Sequence, residues 1–367
     1  MHPDVVVVGG GPAGIATAIS ASLKGLRVTV FDSRKPPIDK PCGEGLLPEA
    51  VTALLALGIE LDSSIAFPFN GICFSDEKSS STAGIARGQA FGIRRTTLHE
   101  ILVRRAQNLG VSFLWGARVS QLNSQGVTVE GKSIPYKWLV GADGQRSIVR
   151  SWARLGTDRY RRSRFGFRRH YRVAPWSDVV EVHWGRRCQL FVTPTAAGEV
   201  CIALLSREPH MRIDQALDQF PSVARRLRGA SPVLAESGAI TALGRARHVA
   251  RGNVALVGDA SCSIDGIAGQ GLSLAFQEAA ALGEALGRDD LYHYERAHRK
   301  ITNVAVQMTQ LLLLMDRSIW IRRKTLRLFA SQPAFYSKLM SVHTGESTAE
   351  SLRVREIVGL GWRVLFA

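Results

Sequence analysis

The chain has 367 residues, 46% of them hydrophobic, which is enough for one large or two interleaved domains with an ample core. Its 47 lysines and arginines against 31 aspartates and glutamates give a formal charge of +16, a surface that attracts phosphates, anionic lipids, acidic carriers or nucleic acid. The arginines are scattered apart from clusters such as Arg159 to Arg164, and no zinc-finger or helix-turn-helix spacing accompanies them. No nucleic-acid partner is therefore expected, and a solvated basic face that eases the entry of anionic ligands is favoured.

The N-terminus enters an apolar strand at Asp4 with no basic segment or cleavage site ahead of it, so a cytoplasmic setting is expected. Asp4-Val5-Val6-Val7-Val8 is a continuous β-branched run, the pattern of a strand buried on both faces of a parallel sheet. It feeds Gly9-x-Gly11-x-x-Gly14 and a helix from Ala13 to about Lys24. Gly9 allows the tight turn, Gly11 lets the backbone approach a pyrophosphate, and Gly14 lets helix and strand pack closely, with Pro12 and Ala13 between them. The N–H groups of the helix start then face the phosphates. A second strand, Arg27 to Phe31, ends in Asp32, whose carboxylate can accept hydrogen bonds from a ribose diol. Arg34 and Lys35 follow, so repulsion of a 2′-phosphate by Asp32 is not clean.

Further along, Arg95 stands at the start of a helix with Leu98, Ile101, Leu102 and Ala106 on its apolar face. It is equally an ordinary surface arginine and one placed to reach a phosphate or a ring. Short strands follow at Val111 to Trp115 and Val119 to Leu122, then a strand pair that includes Gly126, then Trp138 to Gly141 leading to Asp143-Gly144. From about Arg164 to Ser206 the pattern changes to strict alternation, which predicts an antiparallel sheet forming a floor or wall for a substrate pocket. His170, His183 and Glu181 oppose the bulky apolar positions, as either a polar pocket lining or a solvent face would. His170, His183 and Glu181 are the candidates for a catalytic base, beside the ordinary reading of each as a solvent-facing residue.

Val254 to Val257 is another buried strand, ending in Gly258-Asp259, and Gly266, Gly269 and Gly271 lead into a helix from Leu272 to Leu286. A further strand, acid, glycine and helix unit this late in the chain must return to the first. It can offer Asp259 to a polyol and a helix start to an electron-rich ring, which suits the ribityl chain and isoalloxazine of FAD. Five cysteines (Cys42, Cys73, Cys188, Cys201, Cys262) form no CxxC pair, so neither a disulfide framework nor a metal site is expected. From about Thr302 the chain looks helical; Leu311 to Met315 is too short to span a bilayer. The nearby Ile319-Trp320-Ile321 and Arg317, Arg322, Arg323, Lys324 and Arg327 are read as a packed helix with a solvated basic face. Peripheral contact with an anionic membrane, a cap on a hydrophobic tunnel and a dimer contact remain as alternatives.

Taken together, the first glycine motif, Arg95-x-x-Leu98, Asp143-Gly144-x-x-Ser147-x-Val149-Arg150, and Gly258-Asp259-Ala260 with Gly269-Gln270-Gly271 resemble the FAD monooxygenase class typified by p-hydroxybenzoate hydroxylase. Lys40-Pro41-Cys42-Gly43-Glu44-Gly45 is similar to its geranylgeranyl-reductase-like branch. That loop and Arg169 to Trp176 also resemble oxidoreductases of bacterial polyketide pathways. The chain departs from many aromatic hydroxylases in carrying Gly266 where they have proline.

The resemblance implies an α/β fold: a glutathione-reductase-type, Rossmann-like parallel sheet interleaved with an antiparallel substrate sheet, plus C-terminal helices. Residues 1–65, 93–158 and 250–300 would form the FAD domain, 66–92 and 159–249 the substrate domain, and 301–367 the helical region. Gly9 and Gly11 to Gly14 would hold the pyrophosphate, Asp32 the adenosine ribose, and the Val119 backbone the adenine. Arg95 and Asp259 would hold the linker, with Asp143 beside it, and Gly269, Gly271 and Leu272 the flavin edge. Cys42 and Gly43 would pass near the isoalloxazine, where the thiol either tunes the flavin, donates a proton or simply packs in a tight turn. The implied reaction is reduction of the flavin by NADPH or NADH, then oxygen transfer from dioxygen through a flavin hydroperoxide to a lipophilic aromatic or polyketide-type substrate. The alternatives are reduction of an isoprenoid or other alkene and a non-catalytic binding or escort role. Halogenation is disfavoured by the lack of a Trp-x-Trp-x-Ile-Pro segment.

Overall fold

A computed structural model describes residues 2–123, 126–157 and 163–347. Arg159, Arg161 and Arg162 of the basic cluster, and residues 348–367 of the C-terminal region, lie outside the described residues.

The β-branched run Val5–Val8 is wholly buried and occupies the middle of a six-stranded sheet. In spatial order its strands are Ala250–Arg251, Val254–Leu256, Trp138–Gly141, Val5–Val8, Val28–Asp32 and Ser112–Trp115. Every pairing is parallel except that of the edge strand Ala250–Arg251. Three neighbouring strands, Val254–Leu256, Trp138–Gly141 and Val5–Val8, are each followed by a glycine motif. Their carboxyl ends therefore place all three motifs along one edge, where open α/β sheets bind ligands.

Two helices cover this arrangement, Pro12–Leu23 and Gly271–Gly287. They approach so closely that a Cβ on Gly283 would collide with Ser20. Lys24 and Glu284 form an ion pair at the exposed end of the contact.

The alternating segment builds an eight-stranded sheet around Arg164–Arg172, Val180–Trp184, Cys188–Ala196 and Glu199–Ser206. It is antiparallel as expected except at one place: Gly71–Ser75 joins Val180–Trp184 in parallel. Register settles the faces. Arg168 lies opposite Ala203, which lies opposite Phe191, which lies opposite Val182. Phe167, Leu204, Leu190 and His183 form the corresponding row on the other side.

The helical region begins at Leu291, earlier than Thr302, because Asp290 caps it by accepting the His293 N–H at 3.1 Å. Leu291–Arg317, Ile319–Ser331 and Pro333–His343 bury Leu312, Met315, Leu326, Phe329, Tyr336 and Met340 in one cluster with Ile72, Phe74 and Trp184. The basic set is only partly solvated. Arg322 is buried beside the Trp184 ring, 5.7 Å from its centroid, while Trp320 is half-exposed beneath Lys324. No helix among the described residues is long and apolar enough to cross a membrane.

A buried polar network ties these helices to the sheet. Arg164 pairs with Asp265 at 3.1 Å and bonds Gln189, which in turn donates to Asp316. Arg207 Nε donates to Asp316 Oδ2 at 2.7 Å. Removing one member of such a network leaves buried charge unpaired. Asp316→Ala should therefore lower the unfolding free energy by about 3 kcal/mol in a denaturant titration; a change within about 0.5 kcal/mol, as at an ordinary surface site, would contradict this account.

Candidate functional site

Where the three strand ends meet, a cleft of about 880 Å³ runs from the parallel sheet to the second sheet, at the upper end of small-molecule sites. Its lining includes Gly9, Gly11, Pro12, Ala13, Asp32, Cys42, Gly43, Arg95, Val119, Asp143, Asp259, Gly269, Gly271 and Leu272. Every position expected from sequence to hold the cofactor thus lines one cavity, apart from Gly14, which is buried against the Gly9 carbonyl.

The first glycines divide the work as their spacing requires. Gly9 has φ of +115°, and any side chain there would strike the Ala142 carbonyl. A side chain on Gly14 would strike the Gly9 carbonyl. At Gly11, which caps the helix in extended conformation, a Cβ would meet nothing within 4 Å. That emptiness is open cleft in front of a helix N-terminus, the place for a phosphate. The loop is anchored from behind by His99, whose Nε2 lies 2.8 Å from the Gly10 carbonyl oxygen. Burial holds His99 below its ordinary pKa, so the ring is neutral.

Asp32 accepts the Gly10 N–H on one oxygen and the Arg34 N–H on the other, each at 2.8 Å. Both oxygens retain a lone pair for a ribose hydroxyl. Arg95, the first residue of the helix Arg95–Asn108, lines the cleft with its Nε buried and unpartnered. Asp143 uses Oδ2 to cap the turn at Ile148, at 2.7 Å, and leaves Oδ1 buried without a partner. Asp259 projects from the turn Gly258–Ala260, where Lys40 Nζ reaches it at 2.8 Å. That turn is held by Glu278, fully buried, whose Oε2 accepts the Gly258 N–H at 2.6 Å and the Ser261 hydroxyl at 2.8 Å. These features fit FAD: an open helix start, an acid for each polyol, and orphaned donor and acceptor atoms along the path between them.

The loop that carries Cys42 is fastened by residues that sequence reasoning missed. Glu44, 1% exposed at φ of +60°, accepts from Arg168 at 2.8 Å and from the Arg95 N–H at 3.0 Å, and lies 2.6 Å from His170 Nε2. Arg168 also clasps Asp39 at 2.6 Å. The Cys42 thiol accepts the Glu44 N–H at 3.4 Å. Glu44, His170 and Cys201 come close enough to suggest a metal cluster. However, Arg168 already neutralises the carboxylate, and burial pushes the Cys201 thiol well above its ordinary pKa, away from the thiolate a metal needs. We read the cluster as a clasp for the loop.

The two candidate histidines separate. His170 lies on the cleft side of the second sheet but is enclosed in the Glu44 clasp. His183 is a correction: it is on the opposite face, bonded to Ser75 at 2.8 Å and Glu181 at 2.7 Å, and does not line the cleft. Alternation within each strand is real, but cross-strand register puts Val180 and Val182 at the cleft instead. Gly266 lines the cleft and donates its N–H to Thr241 Oγ1 at 3.2 Å, a bond that the proline of many aromatic hydroxylases could not make.

A dinucleotide-type helix start joined, across one cleft, to a second acid-bearing turn and a second sheet is the arrangement of an FAD-dependent oxidoreductase. A family model described as an FAD binding domain matches residues 2–289, and the chain belongs to this family, the p-hydroxybenzoate hydroxylase-like flavin monooxygenases. Among curated proteins it is 28% identical to a 6-methylpretetramide 4-monooxygenase of Streptomyces rimosus, over 96% of this chain and 94% of that one. It is 26% identical to a menaquinone reductase of Mycobacterium tuberculosis, over 78% and 77% of the two chains. Among solved structures, a flavoprotein/dehydrogenase from Cytophaga hutchinsonii superposes with a TM-score of 0.80 at 17% identity, covering 94% and 93%. The flavin-dependent brominase Bmp2 gives 0.74 at 19%, covering 89% and 93%.

Gly11→Val separates binding from folding. It should leave the thermal stability of the flavin-stripped protein near the parent value, since the side chain enters open space, yet weaken FAD at least about 100-fold by occupying the phosphate position. Unchanged FAD affinity by flavin fluorescence titration would refute the placement of the pyrophosphate.

Proposed function

We propose that the protein is an NAD(P)H-dependent monooxygenase acting on a lipophilic aromatic or polyketide-type substrate. The observation that carries this reading is the near end-to-end match to a polyketide-type monooxygenase, joined to a cleft whose far half is apolar. FAD supplies acceptance of hydride from a nicotinamide and activation of dioxygen for transfer of one oxygen atom.

The chain's own residues do the remainder. The helix start at Gly11 and Ala13 would turn N–H groups to the pyrophosphate, with Pro12, which has none, between them; Asp32 would take the adenosine ribose, Val119 would back the adenine, and Arg95 and Asp259 would hold the linker. Gly269 to Leu272 would meet the ring edge, with the Cys42–Gly43 loop beside it. Val180, Val182, Phe191 and Ala203 line the substrate half, and such a lining excludes water from the site of oxygen transfer. Among the described residues no second nucleotide-binding unit accompanies the first, and we read the nicotinamide as docking transiently.

A second reading, reduction of a double bond in a lipophilic substrate, is favoured by the menaquinone reductase relatives and by the Lys40 to Gly45 loop. Oxygen-18 labelling decides between them. With NADPH or NADH and a polycyclic phenol, the monooxygenase reading predicts one labelled oxygen in the product and no product without dioxygen. Equal turnover under nitrogen would establish the reductase.

A further inference from the structure

The helices Leu291–Arg317 and Ile319–Ser331 meet at a corner of one residue, Ser318, whose hydroxyl caps the second helix by accepting the Ile321 N–H at 3.3 Å. Apolar packing fixes which side of this corner faces inward. Leu312 and Met315 before it, and Leu326 and Phe329 after it, are buried in one cluster with Ile72 and Phe74, which line the cleft. On the outer side Leu314, Ile319 and Trp320 are 46%, 48% and 49% exposed. Single exposed apolar side chains are ordinary on a surface, but three gathered at one turn call for a partner.

The corner also inverts the usual order of burial. Arg322 is taken inside, beside the Trp184 ring and 4.0 Å from Asp76, while Trp320 is left outside. A helix that only covered the sheet would bury its tryptophan and leave its arginine in water. Cations surround the exposed apolar group. Arg317 and Arg327 are exposed, and Lys324 Nζ lies 4.6 Å from the centroid of the Trp320 ring. Among the described residues, none of these three forms an ion pair with a carboxylate. Arg323 lies 3.9 Å from the exposed Glu77.

The occupant that fits is an apolar layer faced with anions. Tryptophan at the level of the headgroups, aliphatic side chains below it and cations on the phosphates are how amphipathic helices lie in a bilayer surface. A second copy of the chain fits less well. A two-fold contact would set this group of cations against its own equivalent, in a chain of formal charge +16. No helix among the described residues is long and apolar enough to cross a membrane, so the contact would be with one face of the bilayer.

We infer that the corner around Ser318 is a docking site for an anionic lipid bilayer, with Leu314, Ile319 and Trp320 entering the interface and Arg317, Lys324 and Arg327 on the lipid phosphates. The inference stands apart from the reaction performed at the flavin. Because the corner shares its core with Ile72 and Phe74, it ties the apolar half of the cleft to the membrane-facing helices.

The test uses the full-length holoenzyme and sedimentation with vesicles, made of phosphatidylcholine alone or of phosphatidylcholine and phosphatidylglycerol in equal parts. Each cation at an anionic surface is worth about fivefold in partitioning, so the wild type should prefer the mixed vesicles at least about tenfold. Ile319→Ser with Trp320→Ser should weaken that binding at least about tenfold, through the loss of inserted apolar area. Arg317→Gln with Lys324→Gln should weaken it about as much. Arg296→Gln with Lys300→Gln removes equal charge from exposed positions on the first helix, away from the corner, and should cost less than about threefold. All three variants should keep the melting temperature and flavin spectrum of the wild type. No preference for mixed vesicles in the wild type, unaltered binding after loss of Ile319 and Trp320, or an equal loss from the two charge pairs would overturn the proposal. A wild-type dimer in light scattering that the serine variant converts to a monomer would also overturn it, by assigning the corner to a second copy.

Discussion

The close crossing of the helices Pro12–Leu23 and Gly271–Gly287 is the contact on which the site depends. Each helix begins at a glycine motif, and the two motifs are far apart in the chain. Only the lack of a side chain at Gly283, against Ser20, lets the helices come near enough for both N-termini to open on one cleft. The same economy recurs at Gly258, where a Cβ would press on Ala13, the second residue of the first helix. Glu278 then fixes the turn of the third motif from within the second helix. A long ligand needs contacts at both ends, and this packing brings them into a single cavity.

Electrostatics divide that cavity. At one end are open helix starts and carboxylates suited to phosphates and sugars; at the other, aliphatic and aromatic side chains of the second sheet and the C-terminal helices. Between them runs the loop Lys40 to Gly45. Its conformation is imposed by Glu44, held at positive φ by Arg168, His170 and the Arg95 backbone. The same peptide segment presents Lys40 to Asp259. A nearby pair, Arg94 and Glu199, extends the fastening: burial raises the Glu199 carboxyl, but its bonds to Arg94 and Thr195 outweigh this and hold it ionised. The loop therefore couples the polar and apolar halves mechanically, fastened by Arg168 and His170 of the second sheet, by the helix start at Arg95 and by Asp259.

Local pattern was sufficient to read the parallel strands, the three motifs and the switch to alternation, because each is a short-range consequence of burial on two faces or one. It was enough for the cleft residues too, from Gly11 to Leu272. What it could not supply was partnership across long separations. Glu44 finds Arg168 and His170 more than a hundred residues away, with no spacing rule to announce it. His170 and His183 looked alike in alternation, and only the register through Phe191 and Ala203 puts them on opposite faces. Arg322 read as one more solvated cation, whereas Trp184 and Asp76 enclose it. The start of the helix at Leu291 was legible after all, in the capping Asp290.

The central claim is that three separated segments grip one FAD molecule. Hydrogen exchange of the flavin-stripped protein, measured with and without added FAD, tests it most directly. The account predicts slowed exchange on FAD addition in all three regions together, at residues 9–14, 141–149 and 258–272, with little change in the His183 face of the second sheet. Protection confined to residues 9–14, as a simple nucleotide would give, would contradict it.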